Sequence, residues 1–365
     1  MGVTKKVFSN PQYLKYILSL WQNNGYMNKW IGCLFIVVGH WACTTLTAPS
    51  QHSSEFVIAF GSCNDQKREN FLWDVVAKNH PSVWIWGGDN TYSDTENMDT
   101  LRRNYNKVLQ NLSYQTLQKT TRILGTWDDH DYGLNDGGVE FKAKKGSQQL
   151  FLDFMGVSKN DKRRRQEGVY HAESFKTPHG SVKIIVLDTR YFRTALTKAT
   201  EAKKRYQPNR DGIGTMLGVT QWQWLEKELT TSKAQFNVIM SSVQLLSSEH
   251  GFETWGNMPH EVEKFKQVVK ASKAKGVIVL SGDRHISEFS KAQIEGLNYP
   301  LIDFTSSGLT HVYSSFKAEN NPYRVGEVVP KISFGLLRLD FKKNTITMQM
   351  KGIGDVLYQE MIQKY

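Results

Sequence analysis

Four short segments of the sequence concentrate side chains that can bind metal ions or move protons. Their carboxylate and amide oxygens suit calcium, magnesium or manganese, whereas a thiolate and a phenolate favour iron or zinc. A carboxylate placed between two sites can bridge two metal ions about 3.5–4 Å apart, which is the geometry that activates water for attack on phosphorus. The segments are GSCN (61–64), GGDNTYSD (87–94), WDDHDYGLND (127–136) and SGDRH (281–285).

Each of these segments directly follows a predicted β-strand. Taken singly, a Cys after a strand is often a small core residue, and Gly-Asp after a strand is often a turn. Ligands of open α/β sheets bind outside the carboxyl ends of the strands, so four such segments in the same topological place indicate one site. The strands are FVIAF (56–60), VWIW (83–86), RILGT (122–126) and GVIVL (276–280).

Strand and helix patterns alternate from residue 55 to residue 365, which predicts a single catalytic domain of the mixed α/β class. Apolar residues at helical spacing predict helices over 65–80 and 98–119. The stretch 195–219 has the weakest pattern, and a loop of that length is usually functional or mobile.

Composition excludes several classes of protein. The chain has 365 residues, of which 39% are apolar and 12% aromatic, so it is neither disordered nor low in complexity. The net charge of +11 comes partly from residues 1–42, which hold four lysines and no acid. The basic run KRRR (162–165) is interpreted as a solvated loop or as a patch that steers anionic phosphate substrates. No wider basic stripe with interleaved aromatic residues indicates a nucleic-acid partner.

The N-terminal segment has the pattern of an export leader. The apolar run WIGCLFIVVG (30–39) has the length of a signal-peptide core and is too short to span a bilayer comfortably. Met27, just before it, is a candidate true start. A small residue followed by Cys43 resembles a lipoprotein cleavage site. We therefore predict a leader over 1–43 and a polar tether over 44–54.

The cysteines agree with this interpretation. Cys33 lies in the leader, Cys43 would carry lipid, and Cys63 alone is left in the body, so no disulfide framework is expected. The predicted location is exported, either periplasmic or anchored to the outer membrane by lipid. The alternatives are a cleaved soluble form and a cytosolic protein with an apolar N-terminal helix.

The order of the four segments resembles the alkaline phosphatase D (PhoD-like) family of calcineurin-like metallophosphoesterases. Further matching motifs are LDTRY (187–191), QWQWL (221–225) and TSSGLTH (305–311), and the resemblance covers about residues 56–340. It implies a four-layer α/β/β/α sandwich of the metallo-dependent phosphatase type, with metal ions at the strand ends.

The resemblance also implies a division of metal ligands around Asp89 as the bridging carboxylate. A thiolate and a phenolate would bind ferric iron, and the carboxylates would hold calcium. The longer family members carry an N-terminal β-sandwich domain that we do not find here, so zinc, manganese or magnesium are alternatives. One side comprises Cys63, Tyr92 and Asp283, and the other comprises Asp129, Asn135 and His285.

Three further residues are candidates for catalysis. His130 would protonate the leaving group. Arg190 or Arg284 would neutralise charge that develops on the phosphoryl oxygens. His311 would support the site from behind the ligands, and residues 358–365 are the candidate for a C-terminal segment that shields it.

The predicted function is hydrolysis of phosphate esters by a metal-activated hydroxide, with a phosphate ester as the partner. One alternative is a phospholipase-type phosphodiesterase that uses the same metals. The other is a non-catalytic surface lipoprotein that binds phosphate compounds or glycans, with membrane contact through lipid on Cys43.

Overall fold

The architecture is built from two large β-sheets and the helices that cover them. The computed structural model describes residues 55–210 and 212–365, so the predicted leader and tether lie outside the described residues. The strands are β1 Glu55–Gly61, β2 Val83–Gly87, β3 Arg122–Thr126, β4 His171–Thr177, β5 Gly180–Val186, β6 Thr197–Lys198, β7 Tyr206–Gln207, β8 Phe236–Met240, β9 Val277–Ser281, β10 Ser287–Ala292, β11 Leu301–Ser306, β12 Arg324–Val329, β13 Ser333–Asp340, β14 Thr345–Gly352 and β15 Leu357–Lys364. The α-helices are α1 Trp73–Lys78, α2 Met98–Leu109, α3 Leu112–Thr120, α4 Asp129–Tyr132, α5 Lys144–Phe154, α6 Gly218–Thr230 and α7 Pro259–Ser272.

The two large sheets have different strand orders. The first runs β15-β14-β13-β1-β2-β3, and the second runs β12-β10-β11-β9-β8-β5-β4. Strands β1, β2 and β3 are mutually parallel, as are β5, β8, β9 and β11. In each sheet, several strands therefore end at the same edge, which is where the chemistry-bearing segments begin.

Alternating side chains divide the apolar residues among three cores. Phe56, Ile58 and Phe60 of β1 face the core between the sheets, whereas Val57 and Ala59 face the helices on the outer side. This period of two is the pattern of a strand buried on both faces. Helices α1, α2, α3 and α5 cover the first sheet, and α6 and α7 cover the second. The predicted four-layer α/β/β/α sandwich is confirmed.

Two predicted helices are shorter than expected because polar side chains form turns, or begin a new helix, within the predicted ranges. Only Trp73–Lys78 of the range 65–80 is helical. The Asp65 and Asn70 side chains accept backbone N–H bonds two residues on, which forms turns in place of helix. The range 98–119 contains two helices, because the Asn111 side chain accepts from the Tyr114 N–H and caps a new one.

The C-terminal segment does not shield the site as we expected. Residues 358–364 belong to β15, an edge strand that pairs antiparallel with β14. Tyr365 packs against Phe236 and Tyr299. Within residues 55–210 and 212–365, no helix has the length and apolar character needed to cross a membrane.

Candidate metal centre

The four chemistry-bearing segments meet at one edge of the sandwich. Three follow the parallel strands β1, β2 and β3 of the first sheet, and the fourth follows β9 of the second. A bridge between Ser62 and Ser307 joins the two sheets at this edge. The Cys63 N–H donates to the Gly88 carbonyl at 3.3 Å, which ties the first segment to the second. The sequence-based expectation of one common site is therefore met by the geometry.

Four of the predicted ligands have a left-handed backbone. The φ angles are 62° at Cys63, 51° at Asp89, 68° at Asp283 and 54° at His285. Such angles are uncommon for residues with a side chain and cost of order 1–3 kcal/mol each, so they persist where the surrounding structure enforces them. Strain concentrated on the candidate ligands indicates a functional site.

The first donor group contains a thiol, a phenol, an imidazole and a carboxylate. Cys63 Sγ lies 3.4 Å from Asp89 Oδ2, and the Tyr92 hydroxyl lies 3.2 Å from the same oxygen. The Tyr92 hydroxyl is also 2.9 Å from His285 Nε2. Ligand atoms of Cys63, Asp89 and His285 all lie within 4.8 Å of one another, close enough to share one ion.

The second donor group consists mainly of carboxylates. Ligand atoms of Asp89, Asp129 and His130 lie within 4.8 Å of one another, and so do those of Asp128, Asp129 and Asp283. Asn135 Nδ2 donates to Asp129 Oδ2 at 2.8 Å, which brings its amide beside this group.

The structure groups Asp283 and His285 differently from the division of ligands that we predicted. His285, not Asp283, joins Cys63 and Tyr92, and Asp283 lies with Asp129. Asp89 belongs to both groups, with Oδ2 toward Cys63 and Oδ1 accepting from the His130 N–H at 3.3 Å. Asp89 therefore lies between the two donor groups, and the division of ligands between two ions stays a prediction.

The electrostatics of the site fit multivalent cations. Burial raises the pKa of Asp89 and of Asp283 well above the usual range, and neighbouring aspartates raise both further. Burial also raises the pKa of the Cys63 thiol to about 12. Asp128 Oδ2 is buried without a hydrogen-bond partner among the described residues. Carboxylates and a thiol gathered in a buried place need compensating positive charge, which bound metal ions supply.

His285 is suited to metal binding in its neutral form. Burial lowers the pKa of its imidazole, and the nearby His311 and His130 lower it further, to about 3. A neutral imidazole keeps a lone pair for an ion. His311 lies behind the ligands, with ring centres 4.4 Å from His285 and 4.9 Å from Tyr92. Its role in supporting the ligands stays a prediction.

His130 has the surroundings of a proton donor. Its Nδ1 bonds to Asp94 Oδ2 at 2.8 Å, and its ring lies 4.2 Å from that of Tyr92. Burial lowers the pKa of His130, but Asp89 and the hydrogen bond to Asp94 outweigh that effect and raise the pKa to about 11. The neighbouring carboxylates therefore favour the protonated imidazole.

Arg190 does not occupy the place we predicted for it. Its side chain is completely buried, with Nε 2.5 Å from Asp128 Oδ1 and Nη1 2.6 Å from Glu253 Oε2. A guanidinium held by two carboxylates below the surface is not free to contact a phosphoryl group. Its position instead fixes Asp128 beside the second donor group.

Arg284 does face the cavity over the metal centre. Its Nη2 donates to both carboxylate oxygens of Glu319 at 2.9 Å, whereas its buried Nε lacks a hydrogen-bond partner among the described residues. The cavity has a volume of about 490 Å³. Its lining residues are Asp89, Asp129, His130, Asn135, Asp136, Arg205, Phe252, Glu253, Asp283, Arg284, His285, Val312 and Tyr313.

Sequence reasoning missed several residues that the fold brings to this centre. Asp128 stands in the third segment, but the segment alone did not single it out. Ser307 Oγ lies 3.0 Å from Cys63 Sγ and accepts from the His285 N–H at 2.7 Å. Its signal in the sequence was the TSSGLTH motif (305–311), from which only His311 was predicted to support the site.

The structure also places the basic run 162–165 and the weakly patterned stretch 195–219. In the basic run 162–165, Arg163 pairs with Asp161 and Arg164 pairs with Asp153, so half of its charge has a local structural partner. The weakly patterned stretch 195–219 contains β6 and β7. It also contains Arg205, which lines the cavity and whose Nη2 lies 2.6 Å from Asp136 Oδ2.

Comparisons with known proteins agree with this architecture. A family model described as "PhoD-like phosphatase" matches residues 58–329. Alkaline phosphatase D of Bacillus subtilis (strain 168) is 22% identical over 312 residues, covering 72% of this chain and 53% of that relative. The chain therefore spans about half the length of the curated relative it matches.

Two solved structures share the fold. One, described as "Structure of PhoD", has a TM-score of 0.68 at 16% identity and covers 85% of this chain and 70% of that chain. The other, "GAP50 the anchor in the inner membrane complex of Plasmodium", has a TM-score of 0.57 at 10% identity and covers 85% and 89%.

The fold thus places the protein among the metallo-dependent phosphatase-like sandwiches. The chain belongs to the PhoD-like phosphatase family, whose model covers most of it. The family description names a phosphatase, and the relative is named an alkaline phosphatase.

Proposed function

We propose that this chain hydrolyses phosphate esters at a two-metal centre bridged by Asp89. The observation that carries the proposal is the position of the two carboxylate oxygens of Asp89. One lies 3.4 Å from Cys63 Sγ and the other lies 3.3 Å from the His130 N–H, so each faces a different donor group. A bridging carboxylate is the feature that distinguishes a paired site from two unrelated ones.

The donor chemistry suggests a different ion for each group. Cys63, Tyr92 and His285 offer sulfur, phenol oxygen and nitrogen, which favour iron, with zinc as the alternative. Asp129, Asp283 and the Asn135 amide offer oxygen and favour calcium, with magnesium or manganese as alternatives. When bound, such ions supply Lewis-acid charge and lower the pKa of water.

Other residues around the centre would stabilise phosphoryl charge and protonate the leaving group. Arg284 lines the cavity beside the donor groups, and its positive charge would stabilise a phosphoryl oxygen. Asp94 orients His130 and favours its protonated form, so His130 would deliver a proton to the departing oxygen. The buried carboxylates would hold the centre in place while the ester bond breaks.

Replacing His130 with Asn is expected to lower kcat by about 10²–10⁴-fold, the range typical of a lost general acid. The loss will be larger for an alkyl phosphate than for 4-nitrophenyl phosphate, because nitrophenolate departs without a proton. Steady-state rates on both esters measure this difference. His179→Asn, in the exposed turn between β4 and β5, is the matched control. An equal loss on both esters would assign His130 a role other than proton donation.

Removal of metal ions tests the proposal as a whole. Treatment with a chelator is expected to abolish hydrolysis of 4-nitrophenyl phosphate and of its bis ester, and returning metal ions should restore it. Comparing the two rates separates a monoesterase from the phosphodiesterase alternative. Unchanged turnover after complete metal removal would contradict a metal-dependent reaction.

A non-catalytic binding protein is the second candidate, because one structure with this fold is described as an anchor. The assembled donor groups favour catalysis in this chain. Binding of a phosphate compound without turnover at full metal loading would favour the second candidate instead.

We further propose that the protein is exported and anchored by lipid on Cys43. The apolar run 30–39 and the small residue before Cys43 support this proposal. The proposed organisation is a leader over 1–43, a tether over 44–54 and a catalytic domain over 55–365.

A further inference from the structure

One wall of the cavity over the metal centre is made of residues other than the candidate ligands. The cavity volume of about 490 Å³ lies in the range that holds a whole small-molecule ligand, which is far more than a phosphate group needs. The candidate ligands line one part of it. Phe252, Val312 and Tyr313 line another part, and they are its apolar side chains.

Phe252 is held in a fixed position by its neighbours. The Arg284 guanidinium lies 4.3 Å from the centre of the Phe252 ring, a cation–π contact. Glu319 holds that guanidinium through two bonds of 2.9 Å. The Phe252 N–H donates to His250 Nδ1 at 3.1 Å. A ring fixed before a ligand arrives loses little conformational entropy when it is contacted.

Tyr313 is attached to the metal centre through the backbone. Its N–H donates to the carbonyl oxygen of His285 at 2.8 Å, while its side chain is 39% exposed at the mouth of the cavity. The ring is therefore tied to a candidate ligand and remains accessible to a substrate. Phe252 also lines a neighbouring cavity of about 540 Å³, so its ring stands between the two spaces.

We propose that Phe252 and Tyr313 form the subsite for the organic group of the phosphate ester, and that this subsite selects planar apolar groups such as aryl substituents. The inference rests on the proposed function for the identity of the substrate. Aromatic rings contact each other through specific stacked or edge-on arrangements that a small alkyl group cannot reproduce.

The test compares kcat/KM for phenyl phosphate with kcat/KM for ethyl phosphate in the full-length protein. The two leaving groups differ in intrinsic reactivity, but that difference is the same for every variant. A change in the ratio therefore reports the subsite. Phe252→Ala and Tyr313→Ala are each expected to lower the ratio about tenfold, whereas Phe71→Ala, an exposed phenylalanine outside the cavity, should leave it unchanged.

A ratio that stays constant in both variants would overturn the subsite. Equilibrium binding of phenylphosphonate and ethylphosphonate tests the subsite without requiring hydrolysis. It therefore distinguishes a wrong subsite from a wrong proposed function. If the wild-type protein hydrolyses neither ester, the proposed function fails and binding alone decides the subsite. Tighter binding of phenylphosphonate that is lost in Phe252→Ala supports the subsite, and equal binding of both phosphonates overturns it.

Discussion

The Asp89→Asn variant is expected to lose bound metal and at least about 10³-fold in kcat/KM together. Asp89 is the carboxylate common to both donor groups, so its loss removes a negative ligand from two ions at once. Lewis-acid stabilisation of the transition state is worth several kcal/mol, and each 1.36 kcal/mol corresponds to a factor of ten in rate. The amide has nearly the same size, so the fold should be retained.

Metal content and phosphate-ester kinetics on the same preparation measure this effect. Asp74→Asn makes the same chemical change on an exposed face of α1 and should alter neither quantity. Loss of activity with the full metal content retained would show that Asp89 acts in catalysis without bridging. A fully active Asp89→Asn enzyme would contradict the account of the centre.

Arg190→Leu is expected to reduce the free energy of unfolding by about 3–5 kcal/mol, the cost of breaking a buried ion pair from one side. Arg190 is completely buried between Asp128 and Glu253. Its loss leaves two carboxylates below the surface without their counter-charge. Because Asp128 lies beside Asp129 and Asp283, metal affinity should fall as well.

Chemical denaturation measures this change, and Arg122→Gln is the matched control. Arg122 also pairs with an acid, Glu173, but its side chain is 51% exposed. Exposed ion pairs contribute about 0–1 kcal/mol, so the control should be nearly neutral. Equal effects of the two substitutions would show that the Arg190 network contributes no more than a surface pair.

Local sequence patterns were sufficient to predict the strands that precede the four segments. The strands before the four segments are short apolar runs with turn residues behind them, and their burial on both faces explains that composition. Parallel strands of the first sheet that end at one edge then bring Cys63, Asp89 and Asp129 together, and the stacking of the second sheet adds His285. The bridging position of Asp89 follows from the resemblance and agrees with the observed geometry.

The sequence was uninformative where polar residues are buried. Strand β10 reads as polar, yet it is buried because its side chains find partners across the sheet. Glu288 bonds to Gln244, and Ser290 bonds to Asn321. No local pattern reveals partners that lie 30 or more residues away. The same reason hides the Arg190 network, which joins segments far apart in the chain.

The positions of Asp283 and His285 in the fourth segment depend on a backbone conformation that the sequence does not reveal. Asp283 and His285 both have positive φ angles, so the alternation expected along an extended chain does not apply to them. Residue types alone give little warning of a left-handed backbone at an aspartate or a histidine. Only the folded chain shows that His285 faces Cys63 and that Asp283 faces Asp129.

Elemental analysis of protein purified without chelators or an affinity metal tests the central claim most directly. The account predicts two metal ions per chain, one of them iron or zinc and the other calcium, magnesium or manganese, in protein that hydrolyses phosphate esters. The Cys63→Ser variant should lose the first ion preferentially, because it removes the sulfur ligand. Metal-free protein with full hydrolytic activity would contradict the account.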